Sequence, residues 1–109
     1  MADPTLVPLT QAATLAWVAA RWPWSTAPEW RAIKTGEEAG EVLGALIKYR
    51  EGRKTVDDVA QETAQLVICA MAFAESVGFD LDAAIAAEWA LCGTRTWGTE
   101  MHAGDQAHE

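Results

Sequence analysis

"KTGEEAGEVLGALIK", residues 34 to 48, is the stretch whose period decides the fold class. Plotted at helical spacing, Val42, Ala45 and Leu46 form one apolar arc, as in an amphipathic α-helix. Three acids, Glu37, Glu38 and Glu41, crowd into little more than one turn of it. Like charges at three- and four-residue spacing repel, so this helix carries a local cost. Glu38 and Glu41 also fall beside the apolar arc, which aims them inward. A charge inside a helical assembly is costly unless it is paired or bound to a metal ion.

Outward from this stretch, the chain reads as four helices. Leu15, Val18, Ala19 and Trp22 recur at helical spacing after Thr10, and Pro23 stops that first helix. "WPWSTAPEW" follows as a turn. Thr26 and Glu29 match a capping box, and Pro28 suits a first helical turn, so the second helix is expected from about 27 to 51, ending at Gly52. Thr55 and Asp58 open a third helix that Gly78 terminates near Val77. Its second half is apolar on every side, which predicts a path through the centre of the core. Asp80 caps a fourth helix with Leu81, Ile85 and Trp89 on its apolar face, ending between Gly93 and Trp97. Residues 1–9, with two prolines, form a loose arm, and 98–109 lack any period and are expected to be disordered. The expectation is one all-α domain over 1–109, a four-helix-bundle-like protomer completed by oligomerisation.

Composition limits the function. A formal net charge of -8 repels phosphate backbones and anionic membranes, which argues against a nucleic-acid polymer or a lipid surface as partner. The longest apolar run, "LVICAMAFA" at 66–74, is too short for the ~20 residues of a membrane span. "MADPTLVPLT" has no basic segment followed by an apolar one, and Cys69 and Cys92 lack a CxxC spacing. These features predict a soluble protein of the reducing cytoplasm.

A second acidic position completes the pattern. Glu62 and Gln65 on the third helix repeat the i, i+3 geometry of Glu38 and Glu41, and an antiparallel hairpin would set the two pairs face to face. Facing carboxylates need a cation between them, and hard oxygen donors without His or Cys select Mg2+, or Mn2+, over zinc. The competing reading is a solvated acidic stripe.

"KTGEEAGEVLGALIK" followed by "QETAQLVICAMAFAESVGFDLDAAI" resembles the MazG-like branch of the all-α nucleoside triphosphate pyrophosphohydrolases over about residues 29 to 97. EExxE, a spacer and ExxD mark that family. The resemblance implies hydrolysis of a nucleoside triphosphate to its monophosphate and pyrophosphate, with Mg2+ held by the acids in a homodimer or homotetramer. Carried over by position, it makes Glu38, Glu41 and Glu62 metal ligands and gives Glu37 a further metal or the attacking water. The family's Asp is Gln65 here, which offers a carbonyl oxygen without charge. A Lys, an Asn and an Arg often found on the family's fourth helix correspond to Glu88, Cys92 and Arg95, so only the arginine is kept.

Such an enzyme would use Lys34 or Arg95 to neutralise charge on the departing pyrophosphate. Lys34 equally suits an intrahelical salt bridge with the acids that follow it. Trp24, Trp30 and Trp97 lie near helix ends, where they either stack on a nucleobase or anchor a core or subunit interface. Gly36, Gly40 and Gly44 form a stripe opposite the acids, whose cost to the helix must be offset by close approach of a neighbour, within the chain or across a dimer. His102 and His108 are incidental tail residues on this reading. The alternative function is a catalytically weakened module for oligomerisation or for nucleotide or metal binding, with Gln65 as its cause.

Overall fold

In a computed structural model, which describes residues 7–95, the chain is all-α: α1 (Gln11–Arg21), α2 (Pro28–Arg50), α3 (Val56–Val77) and α4 (Leu81–Cys92), with a 3-10 turn at Pro23–Ser25. No strand occurs among the described residues. Residues 1–6 of the expected arm, Trp97, the tail and both histidines lie outside them.

Side chains fix three of the four α-helix starts. The Thr10 hydroxyl accepts from Ala13 N at the start of α1, and the Asp80 carboxylate accepts from Ala83 N at the start of α4. Thr55 and Asp58 form the expected reciprocal capping box of α3. Gly78 ends α3 at φ 99°, a left-handed conformation that favours glycine.

Thr26 departs from expectation. The N-cap of α2 is Ala27, which has no side-chain cap, while the Thr26 hydroxyl donates to Pro23 O at 3.1 Å. The 3-10 turn takes Thr26 into its own closing bonds, so the hydroxyl is unavailable to the helix that follows. Arg31 then braces the turn, donating from Nε to Ser25 O at 2.8 Å and from Nη2 to Ser25 Oγ at 3.3 Å.

The five-residue link 51–55 folds α3 back on α2, and this antiparallel hairpin is the main packing unit. α1 lies against α3. Gln11 pins its start: Nε2 donates to Glu75 Oε1 at 3.1 Å and to Phe79 O at 2.6 Å, while Oε1 accepts from Leu81 N at 2.8 Å. α4 leaves α3 at 106° and makes few contacts with the other helices.

That departure corrects three expectations about burial. Only Ala72 and Ala74 of α3 are buried, whereas Val67, Ile68 and Val77 are exposed, because α4 does not cover them. On α4 itself, Ile85 and Trp89 are 57% and 76% exposed. In α1 only Val18 of the expected stripe is buried, with Thr14 outside the stripe also buried, and Trp22 is exposed and meets Trp17 edge-on at 5.5 Å. Nor does a neighbour among the described residues approach the glycine stripe: a Cβ added at Gly36, Gly40 or Gly44 would meet none of their atoms within 4 Å. Among the described residues no single helix is long and apolar enough to cross a membrane.

Candidate functional site

The α2–α3 hairpin divides the three acids of "KTGEEAGEV" between different surroundings. Glu38 is buried at 8% exposure, while Glu37 and Glu41 are exposed. The reason is the helical arc: Glu38 lies one full turn before Val42 and two before Ala45, on the side that meets α3.

Lys34 serves as the cation of this pocket. Its Nζ stands 3.4 Å from Glu38 Oε1 and 3.7 Å from Glu37 Oε2, the intrahelical pairing that its spacing allows. Burial by itself would lower the Lys34 pKa, but the hydrogen bond to Glu38 and the charges of Glu37 and Glu38 outweigh it and raise the value. Cys69 of α3 joins the same neighbourhood. Burial pushes its thiol up, the Glu38 charge adds to that rise, and Lys34 and Arg31 oppose it. The other oxygen of Glu38, Oε2, is buried without a hydrogen-bond partner among the described residues. Such a carboxylate oxygen forgoes hydration with nothing in return, at a cost of order 1–3 kcal/mol or more.

Toward the hairpin end, Glu41 of α2 and Glu62 of α3 line one cleft of about 250 Å³, together with Lys48, Lys54, Asp58 and Gln61. The hairpin thus brings together one acid from each expected pair. It leaves Gln65 exposed and outside the cleft lining, and it leaves Glu38 in the Lys34 pocket. Among the described residues no three His, Cys, Asp or Glu side chains converge closely enough to hold a metal ion by themselves.

The remaining expected residues stand apart from this cleft. Arg95 pairs with Glu88 at 2.6 Å, beyond the end of α4. Trp30 is 48% exposed in the first turn of α2 and meets Trp24 edge-on at 5.4 Å. Two cations that the motif did not single out, Lys48 and Lys54, line the cleft. Lys48 sits in the last turn of α2 and Lys54 in the link, so only the hairpin register unites them with Glu62. That register was the available signal: residues equidistant from a short antiparallel connection face one another.

Compared with protein-family models, curated proteins and solved structures, the chain matches none of them.

Proposed function

We propose that the chain is a Mg2+-dependent nucleoside triphosphate pyrophosphohydrolase that works as a homodimer or homotetramer. The observation that carries this reading is the buried, donor-free Oε2 of Glu38, one turn from Glu41 on the helix that faces Glu62. An oxygen so placed is suited to a cation. The donor chemistry fits: magnesium is usually held by one or two carboxylates completed by water and substrate phosphates, so a preformed cage of three acids is not required. Glu41 and Glu62, which line one cleft, would hold it; Glu38 and Gln65 stand outside that lining, so water and substrate phosphates would complete its shell. When bound, the ion supplies Lewis acidity and a more acidic water.

The chain's own residues would do the rest. Glu37, exposed beside Glu38, is the group that orients the attacking water, and Lys34 holds the Glu38 side chain in place through their ion pair. Trp30 offers an exposed ring to a nucleobase, about 12 Å along α2 from Glu38 at 1.5 Å per residue. Arg95, past the end of α4, would exchange its pairing with Glu88 for phosphate. A second copy would cover the apolar faces of α3 and α4.

The exposure of Gln65 favours a second reading, a module that binds nucleotide or metal but turns over weakly. Pyrophosphate release from a panel of nucleoside triphosphates, with and without Mg2+, separates the two. The enzyme reading expects release that needs Mg2+ and falls at least 100-fold in Glu38→Ala, the scale of losing a group that acts in the transition state. Release from none of them would overturn it. Activity gained only in Gln65→Asp would instead favour the weakened module.

A further inference from the structure

The cleft at the hairpin end holds a charge arrangement that the acid motif does not explain. Lys48 and Lys54 line it beside Glu41, Asp58 and Glu62, and both lysines are exposed. Neither makes an ion pair among the described residues, unlike Lys34 with Glu38 or Arg53 with Glu51. From Glu41 to Lys48 along α2 is about 10 Å at 1.5 Å per residue, close to the span of a polyphosphate and its metal ion. The volume, about 250 Å³, lies below the ~300–1,000 Å³ of sites that enclose a whole drug-sized ligand. It suits phosphates and leaves a nucleoside outside.

We infer that Lys48 and Lys54 hold the β- and γ-phosphates of the nucleotide in this cleft, next to a divalent cation carried by Glu41 and Glu62. This assignment rests on the proposed reaction and names the leaving-group site within it. The same counting of charge makes metal and phosphate binding interdependent. Three carboxylates against two ammonium groups leave the lining at -1, which repels a free phosphate. One divalent ion turns it to +1. The phosphates therefore enter with the metal, and each raises the affinity for the other by the same factor. During reaction the two lysines meet the charge that grows on departing pyrophosphate, while Lys34 remains with Glu38.

Inorganic pyrophosphate is the probe, titrated by calorimetry into the full-length chain with and without Mg2+. The expected result is binding only with Mg2+, weakened about tenfold or more in Lys48→Gln/Lys54→Gln, with Mg2+ affinity itself kept or raised. Lys54→Arg should retain pyrophosphate. Gly44 lines the same cleft and has open space at its Cβ position, so Gly44→Leu should bind poorly while keeping its helix. A chain that binds Mg2+ but not pyrophosphate, or whose double variant binds pyrophosphate as tightly as the natural chain, overturns the phosphate assignment and leaves the metal site standing. Absence of any Mg2+ binding overturns both.

Discussion

Glu38 is the residue on which the account turns, because it is buried, half satisfied by Lys34 and half unsatisfied. Glu38→Gln keeps the shape and supplies an amide donor. It should raise the metal-free melting temperature or leave it unchanged, and abolish any rise produced by Mg2+, as scanning calorimetry with and without the ion would read. A second test is alkaline. Lys34 and Cys69 both have raised pKa values in the folded chain, so each binds its proton more tightly folded than unfolded. Their stabilisation is complete below the unfolded values, 9.0 for the thiol and 10.5 for the lysine, and is lost as pH rises through the folded ones. Melting temperature should therefore fall above pH 9, and Cys69→Ala should remove the earlier part of that fall. The inward aim of Glu38 followed from its helical phase, but Glu41, expected inward on the same grounds, is exposed. Lys48 and Lys54 were missed because no local motif spacing links the last turn of one helix to the residues before the next, and only the register of the antiparallel hairpin places them in one cleft.

Among elements, α3 is the most completely specified by its ends. Thr55→Ala removes the hydroxyl that accepts from Asp58 N and should cost about 1 kcal/mol, measured by urea unfolding. Asp58 has a lowered pKa through its bonds from Thr55, chiefly the backbone one. Its contribution is present above the ordinary value of 3.8 and disappears as pH falls through the lowered one. Gly36 on α2 shows the opposite case. Nothing among the described residues approaches its Cβ position, so Gly36→Ala should stabilise the helix by about 1 kcal/mol in the same assay. Helix starts at Thr10, Thr55 and Asp80 were readable because each cap is a short-range interaction. Thr26 misled because two short-range partners competed for one hydroxyl, and the 3-10 turn won.

At the scale of the whole molecule, the imbalance is in the core. Four apolar residues are buried among the described ones, Val18, Ala45, Ala72 and Ala74, against 19 exposed large hydrophobic side chains. In the proposed assembly, a second copy would cover part of these exposed side chains. Periodicity reveals which face of a helix is apolar, but not what covers it, and so α3 was expected at the centre of a core that one chain does not build. On the proposed assembly, Trp89→Asp should dissociate the natural oligomer to a monomer in sedimentation velocity. An unchanged sedimentation coefficient would remove α4 from the interface.

The central claim, attack at the α-phosphate of a nucleoside triphosphate, is tested most directly by phosphorus NMR of the products. One monophosphate and one pyrophosphate are expected for each triphosphate consumed, formed with Mg2+ and not without it. Diphosphate with orthophosphate, or no consumption of any triphosphate, would contradict it.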